Sequence, residues 1–170
     1  MKGQKYSIAN ILGFQKKNDE FYTSEETVKK LIDVLKLQKN TIIWCPFDTS
    51  ESQFVKQLSK KWKVIKSHIS EGKDFYKYQP KKWDIIISNP PFSQKRLLIE
   101  RCINFGKPFI LLYGTTIFSQ SMGNTLNLCD FYFIQRNCKF TCQEKGKIKS
   151  FQCCWVMNKG NKNIIKNEKK

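Results

Sequence analysis

The amino-acid sequence predicts an α/β protein with a mostly parallel, doubly wound sheet and a C-terminal antiparallel hairpin. Two observations support this fold class. Between residues 23 and 113, short apolar runs alternate with segments of helical apolar spacing, which is typical of parallel strands joined by right-handed crossovers. Two aromatic and β-branched runs then flank a polar turn, which indicates antiparallel pairing.

The first half of the chain contains two predicted helices and two predicted strands. Residues 23–26 place a hydroxyl cap before two acidic side chains, and the apolar spacing that follows continues a helix for about three turns. Residues 41–45 form a β-branched and aromatic run that ends at Pro46, so they predict a buried strand. Helical spacing returns in residues 50–61 and a strand pattern in residues 62–69, which completes a βαβ unit.

The second half adds two buried strands, one helix and the hairpin. Residues 83–88 are an apolar strand that ends before Pro90, since proline cannot continue the hydrogen-bond ladder. Residues 97–105 have helical spacing, and residues 109–113 are a further buried strand. Residues 131–134 and 150–157 flank a turn centred on Gly146, and we expect this hairpin at the edge of the sheet.

The predicted organisation is a single domain at residues 1–157, followed by a basic, flexible tail at residues 158–170 that lacks a core pattern. A chain of 170 residues with 40% hydrophobic and 14% aromatic residues can bury a core of its own, which excludes a wholly disordered chain. The sequence contains no internal repeat and no sign of a second domain.

The composition predicts a soluble, cytoplasmic protein. No apolar run approaches the ~20 residues that a membrane-spanning helix needs, and residues 1–5 lead into no signal-peptide core. The chain has 7 cysteines, an odd number that includes the adjacent pair Cys153 and Cys154, which favours reduced thiols packed as small apolar side chains. Their spacing does not match C-x-x-C, so we expect no metal site.

The charge balance indicates a polyanionic partner. Lys+Arg number 31 against 14 Asp+Glu, which gives a formal net charge of +17. Nearly all of this charge is lysine, a mobile point charge that suits phosphate without reading bases. The alternative explanation is codon usage in an AT-rich genome, since the chain is also rich in asparagine and isoleucine.

The strongest functional signal is the segment of residues 89–92, named here the N-P-P-F motif. It comprises Asn89, Pro90, Pro91 and Phe92. The motif follows a predicted buried parallel strand, where open α/β sheets bind their ligands. It resembles the N-P-P-[FY] signature of S-adenosylmethionine-dependent amino-methyltransferases, above all the adenine-N6 DNA methyltransferases. The resemblance extends over residues 19–157 and implies a Rossmann-like methyltransferase fold.

The resemblance assigns a role to the N-P-P-F motif. The Asn89 amide oxygen and the Pro90 carbonyl would accept the hydrogens of the target amine and localise its lone pair as the methyl group arrives. Phe92 would stack on a target base that has left its helix or is presented single-stranded. The alternative is a strand-to-helix turn that prolines stiffen and that has no catalytic role.

By the same resemblance, ten residues would bind the cofactor S-adenosylmethionine. They are Phe21, Tyr22, Thr23, Pro46, Phe47, Asp48, Ser50, His68, Asp74 and Phe75. The segment of residues 21–23 would line the methionine end, Asp74 would accept from the adenine amino group, and Phe75 would pack on the purine. The alternatives are a hydrophobic staple and cap for residues 21–23 and a strand-end imidazole without a role for His68.

The loop after the first predicted strand departs from the family pattern. A typical methyltransferase has G-x-G there, but residues 45–52 contain no glycine. Pro46 and Phe47 are retained, and this P-F-D form resembles small phage-type adenine methyltransferases. Asp48 would take the methionine ammonium, and Ser50 or the helix N-terminus would take the carboxylate. Alternatively, Asp48 and Ser50 cap the helix that begins near Glu51.

The resemblance implies methyl transfer to adenine N6 in DNA, with RNA as an alternative acceptor. Lys95 and Arg96 are predicted to contact backbone phosphates, as are the lysines at positions 81 and 82. Since no target-recognition domain is visible, residues 115–127 or a partner protein would supply specificity. A protein glutamine amide as acceptor, or a catalytically silent domain that binds nucleic acid or cofactor, stays open as an alternative.

Overall fold

The computed structural model describes residues 21–134, 137–142 and 148–165, which form two sheets and three α-helices. The strands are β1 (Phe21–Thr23), β2 (Ile42–Cys45), β3 (Lys63–Lys66), β4 (Ile85–Ser88), β5 (Phe109–Gly114), β6 (Cys129–Phe133), β7 (Cys138–Cys142), β8 (Ile148–Phe151) and β9 (Cys153–Asn158). The α-helices are α1 (Glu25–Val34), α2 (Gln53–Leu58) and α3 (Lys95–Asn104). Short 3-10 helices cover Ile69–Glu71, Thr115–Ile117, Gln120–Leu128 and Lys162–Ile164.

The main sheet has six strands in the order β3-β2-β4-β5-β9-β6. Strands β3, β2, β4 and β5 are parallel, and β9 is antiparallel to both of its neighbours. The predicted α/β class with a mostly parallel sheet is therefore confirmed. The chain moves from β2 to β3 on one side and then to β4 on the other, so the order reverses between β2 and β4. Such a reversal opens a crevice at the carboxyl ends of the strands.

The C-terminal strands differ from the simple edge hairpin that the sequence predicts. β6 and β9 pair antiparallel as expected, with Phe131 opposite Val156, but β9 is inserted between β5 and β6. β9 is buried over most of its length, which suits a central position, whereas Phe133 of β6 is exposed, which suits an edge. β7 pairs with both β1 and β8 in a second, three-stranded sheet. The predicted turn at Gly146 lies outside the described residues.

The core lies on both faces of the main sheet. On one face, α1 and α2 pack on the even-numbered residues of β5, such as Leu112. On the other face, α3 packs on the odd-numbered residues, such as Leu111 and Tyr113. The largest fully buried side chains include Trp44, Trp83, Trp155, Tyr113, Phe54, Phe109 and Phe140.

The fold continues beyond residue 157, where the sequence predicts that a flexible tail begins. Asn158 ends β9, and its Oδ1 atom accepts from the Phe109 amide at 3.2 Å. The Lys36 amide donates to the Ile164 carbonyl at 2.7 Å, and Ile165 is buried and forms a bridge with Leu35. This apolar pair gives the segment an anchor at the end of α1. Residues 166–170 lie outside the described residues, as do residues 1–20.

Buried free thiols are found among the cysteines whose side chains the structure describes. They are Cys45, Cys102, Cys129, Cys138, Cys153 and Cys154. Within the described ranges, no three His, Cys, Asp or Glu side chains come together as a metal-ion group. Among the helices described, none combines the length and the apolar character that crossing a bilayer would need.

Candidate active site

The N-P-P-F motif follows β4 at the carboxyl edge of the main sheet, next to the point where the strand order reverses. β4 is fully buried between β2 and β5, and Ser88 and Pro90 are buried on either side of Asn89. Asn89 is half-buried, and its Oδ1 atom is itself shielded from solvent. The two prolines disfavour helical backbone at the residues that precede them, so Asn89 and Pro90 are biased toward extended conformations.

A buried carboxylate joins the loop after β2 to the end of β4. Asp48 accepts hydrogen bonds from the hydroxyls of Ser52 and Ser88. Ser52 also caps α2, because its Oγ accepts from the Phe54 amide at 3.2 Å. Burial raises the pKa of Asp48 to about 6, while the two serine hydrogen bonds act in the opposite direction. Asp48 thus holds together the two loops that border the crevice.

These contacts refine the expectations for the first loop. Asp48 supports the helix start, but Ser52 and not Ser50 is the cap, and Ser50 is exposed. Helix α2 begins at Gln53 and has only 6 residues. Ser52 and Ser88 are not among the residues predicted from the sequence. The available signals were the position of Ser52 four residues after Asp48 and of Ser88 immediately before the motif.

Phe92 connects the motif to the second sheet. Its half-buried ring lies 5.9 Å from Tyr113 and 6.0 Å from Phe151, centroid to centroid. Phe151 in turn stacks on Phe140 at 4.4 Å with an interplanar angle of 7°. Gly114 permits this arrangement, since a Cβ atom there would meet the Phe151 ring at 3.3 Å. The second sheet therefore packs against the motif, which the sequence did not predict.

The turn from the motif into α3 contains an unusual backbone conformation. Gln94 has φ 56° and ψ 24°, the left-handed region that non-glycine residues seldom occupy. Such outliers persist where the surrounding structure holds them, and they are frequent near functional sites. Immediately after it, Lys95 donates to the Thr116 carbonyl at 2.6 Å. This bond ties the start of α3 to the loop after β5.

Thr23 is the most informative of the three predicted cofactor residues in β1. It is buried, and its Oγ1 atom has no hydrogen-bond partner among the described residues. β1 contacts α2, the helix that follows the first loop. Tyr22 is exposed, and the Phe21 side chain lies outside the description. A buried hydroxyl without a partner carries an energetic cost that a bound polar group would relieve.

The predicted adenine-binding pair has a strong packing role. Phe75 is buried, and its ring lies 4.8 Å from Phe47 and 5.6 Å from Trp44. The Arg101 guanidinium lies 5.4 Å from the same ring. Asp74 Oδ1 accepts from the Tyr76 amide at 2.9 Å, which closes a local turn. Phe47, in the first loop, is half-buried and contacts the Phe75 ring, while Pro46 is buried.

His68 follows β3, the strand next to β2. Its Nδ1 atom accepts from the Ser70 amide at 3.2 Å and caps the 3-10 helix that begins at Ile69. The imidazole is half-buried, so it keeps a surface open at the carboxyl edge of the sheet. This capping bond is a local structural role, and a contact of His68 with the cofactor stays a prediction.

The two basic residues predicted to contact phosphate lie beside the motif. Arg96 is exposed and bonds to Glu100 at 2.8 Å, one turn further along α3. Lys95 is half-buried and reaches the loop after β5. In contrast, the lysines at positions 81 and 82 precede β4, so they lie near the amino ends of the parallel strands, at the opposite edge from the motif. They flank β4 in the sequence but do not lie beside the motif.

Comparisons with known proteins agree on the fold. No protein-family model matches the sequence, and no curated protein matches it. Among solved structures, the 23S rRNA methyltransferase ErmE aligns with a TM-score of 0.54 and 9% identity over 87% of this chain and 73% of ErmE. A dimethyladenosine transferase from Plasmodium falciparum aligns with a TM-score of 0.53 and 14% identity over 82% of this chain and 63% of the transferase. The described chain therefore has the Rossmann-like fold of these methyltransferases.

Proposed function

We propose that the chain transfers a methyl group from S-adenosylmethionine to the N6 amino group of adenine in nucleic acid, with DNA as the first candidate. The observation that carries this proposal is the position of the N-P-P-F motif. It follows a fully buried parallel strand, beside the reversal of strand order, in a fold shared with methyltransferases. Folds of this kind bind their ligands at this edge of the sheet, and an amine-binding motif there would lie next to the bound substrate.

The chemistry follows from the acceptors that the motif can present. An amino group on an aromatic ring is a poor nucleophile because its lone pair is delocalised into the ring. Asn89 Oδ1 and the Pro90 carbonyl would accept its two hydrogens, which favours the geometry in which the lone pair points at the methyl group.

Phe92 would hold the base against these acceptors. Its ring is half-buried between Tyr113 and Phe151, so part of it is open toward the crevice edge. A base stacked there gains about 1–3 kcal/mol, which offsets part of the cost of unstacking it from its neighbours. After transfer, the methylated amine releases its proton to water, so no general base is required.

The residues of the first loop and β1 fit the cofactor. When bound, S-adenosylmethionine would supply an electrophilic methyl group on a sulfonium sulfur. Thr23, with its buried Oγ1, would hydrogen-bond the polar methionine end, and Ser50 is exposed in the adjacent loop. Asp48 would contribute mainly by holding this loop to β4, because both of its oxygens already accept from serines. Asp74, Phe75, Pro46, Phe47 and His68 stay predictions for the remainder of the site.

Cofactor binding predicts a thermal shift that depends on Thr23. S-adenosylmethionine or its demethylated product should raise the melting temperature by mass action on the folded state. Thr23→Val removes the buried hydroxyl, so it should raise the melting temperature without ligand, by about 2–4 °C for each kcal/mol gained, and reduce the ligand-induced shift. Differential scanning fluorimetry at millimolar ligand measures both effects.

Thr27→Val is the matched control for this experiment. Thr27 is also buried, but its hydroxyl bonds to Ser24 Oγ at 3.0 Å. This variant should therefore lower the melting temperature and leave the ligand-induced shift unchanged. Absence of any shift in the unaltered protein would favour the silent-domain alternative.

RNA is the second candidate acceptor, and the names of the fold neighbours favour it. One is a 23S rRNA methyltransferase and the other a dimethyladenosine transferase. Incubation with labelled cofactor and duplex DNA, single-stranded DNA or RNA, followed by nucleoside mass spectrometry, distinguishes the acceptors. Labelled N6-methyladenine in DNA or RNA supports the proposal for that acceptor. Absence of labelled nucleosides from all three substrates would contradict it.

Nucleic-acid binding should depend on salt through the residues beside the motif. If Lys95 and Arg96 each contact one phosphate, the double variant Lys95→Gln/Arg96→Gln should lower the slope of log affinity against log salt by about two. Filter binding of a DNA or RNA oligonucleotide between low and moderate salt measures the slope. Lys81→Gln/Lys82→Gln, at the other edge of the sheet, should change it much less. Equal slopes in all three proteins would contradict the prediction that Lys95 and Arg96 contact phosphates.

A further inference from the structure

An exposed aromatic cluster lies at the carboxyl edge of the main sheet. Phe118 and Phe133 are 46% and 59% exposed, which is unusual for phenylalanine. Their rings are 5.7 Å apart and only 22° from parallel, and Phe118 also contacts Phe131 at 4.9 Å. The two rings therefore stack on one another and form one exposed aromatic pair, named here the Phe118/Phe133 platform. Contiguous exposed apolar surface of this kind often marks a binding site.

The strand register places the platform close to the N-P-P-F motif. Phe133 is opposite Cys154 of β9, and Cys154 is opposite Tyr113 of β5. The Tyr113 ring is the one that contacts Phe92. Residues directly opposite in a sheet point to the same face, so Phe133 and Tyr113 share a face and stand about 10 Å apart, two strand spacings. Phe92 and the platform thus lie along the same edge and face.

The loop that carries Phe118 is held in place at both sides. The Thr115 amide donates to the Gln152 carbonyl at 3.1 Å, in the connection between β8 and β9. On the other side, Lys95 at the start of α3 donates to the Thr116 carbonyl at 2.6 Å. The position of the Phe118 ring is therefore coupled to the turn that follows the motif.

We propose that the Phe118/Phe133 platform stacks unpaired bases of a single-stranded nucleic acid that runs past the motif. This inference rests on the proposed function and specifies its substrate as a strand with unpaired bases beside the target. Single-strand sites combine aromatic rings, on which any base can stack, with positive charge along the backbone path. The platform supplies the rings, Lys95 bonds to the loop that carries Phe118, Arg96 is exposed next to Lys95, and the net charge is +17. Stacked aromatic rings suit flat bases better than they suit irregular aliphatic side chains.

The test separates base stacking from charge. Binding of the full chain is measured at one salt concentration to fluorescent single-stranded DNA, single-stranded RNA and an abasic oligonucleotide of the same length. The double variant Phe118→Ala/Phe133→Ala should bind the base-bearing strands about tenfold or more weakly, and the abasic strand equally well. Phe118→Leu/Phe133→Leu keeps the apolar character and should lose a similar factor. The DNA and RNA arms show which backbone the platform accepts.

Leu128→Ala is the matched control, since Leu128 is 52% exposed and aliphatic. It should leave all three affinities unchanged, and melting curves should show every variant folded. Equal losses on abasic and base-bearing strands, or no loss in the double variants, would overturn the proposal while the proposed function stands. If the unaltered chain binds no oligonucleotide, both the proposal of a nucleic-acid acceptor and the platform proposal are contradicted. If the variants lose self-association in sedimentation instead, the platform is an interface between copies.

Discussion

Asn89→Ala should abolish methyl transfer and leave the fold intact. The variant removes the acceptor that would localise the amine lone pair, an interaction that matters most as the transition state is reached. Loss of one such preorganised group typically costs about 3–4 kcal/mol of barrier, a factor of about 10²–10³ in turnover. Asn89 is only half-buried and follows the end of β4, so alanine there removes few packing contacts. Labelled methyl incorporation into the preferred oligonucleotide measures the effect.

Two controls separate this loss from damage to the fold. Asn104→Ala makes the same chemical change at an exposed position at the end of α3, and should keep full activity. Asn89→Ala itself should keep its melting temperature and the cofactor-induced thermal shift, because Asn89 acts on the acceptor and not on the cofactor. Turnover within a few-fold of the unaltered protein would contradict the assignment of the motif.

Asp48→Asn should change how stability depends on pH. A carboxyl whose pKa is higher in the folded state binds its proton more tightly when folded, so the free energy of unfolding falls as pH rises between its ordinary value and the raised one. For Asp48 the raised pKa is about 6 and the cause is burial. From its usual value near 4, the loss reaches about 3 kcal/mol by pH 7, at 1.36 kcal/mol per pKa unit.

The amide in Asp48→Asn mimics the protonated carboxyl, so the variant should escape this loss. Ser52 and Ser88 can rotate their hydroxyls to accept from the new amide as well as donate to its oxygen. The variant should therefore resemble the unaltered protein near pH 4 and become more stable than it as pH rises to 7. Urea unfolding at several pH values measures the difference between the two curves.

Glu51→Gln is the control, because Glu51 is exposed in the same loop. Its ion pair with Lys56 at 2.7 Å lowers its pKa, so its charge is favourable above its ordinary pKa. Neutralising it should give a small effect of the opposite sign. If the curves of unfolding free energy against pH were parallel for Asp48→Asn and the unaltered protein, the charge of Asp48 would not destabilise the folded state.

The parallel part of the fold could be predicted from the sequence because its signals are local. A strand buried on both faces, such as β4, is continuously apolar, and the prolines after it mark where it ends. The insertion of β9 could not be predicted this way, since the pairing of β5 with β9 joins segments far apart in the chain. The anchor at Ile165 was missed for a related reason. Two apolar residues among lysines and asparagines give no periodicity, yet they suffice to pack on α1.

The candidate site shows the same division. Motif chemistry predicts Asn89 and Phe92 as site residues, because residue types and their position after a strand carry that prediction. The hydrogen bond between Ser88 and Asp48 joins residues that are 40 positions apart in the sequence. Only the fold brings them together. The packing of Phe92 on Phe151 depends on a second sheet that no local pattern indicates. Spacing alone therefore could not distinguish side chains open to a ligand from those held by the protein.

The central position of β9 has a consequence for folding during synthesis. β5 and β6 both pair with β9, which the ribosome makes after the whole of β7 and β8. Until residues 153–158 have emerged, the two earlier strands present open backbone edges, and translation proceeds at about 5–20 residues per second. A nascent chain stalled before residue 153 is thus exposed to edge-to-edge association, whereas release of β9 closes both edges in one step. Synonymous codon changes that slow translation between β6 and β9 should lower the soluble yield without altering the protein itself.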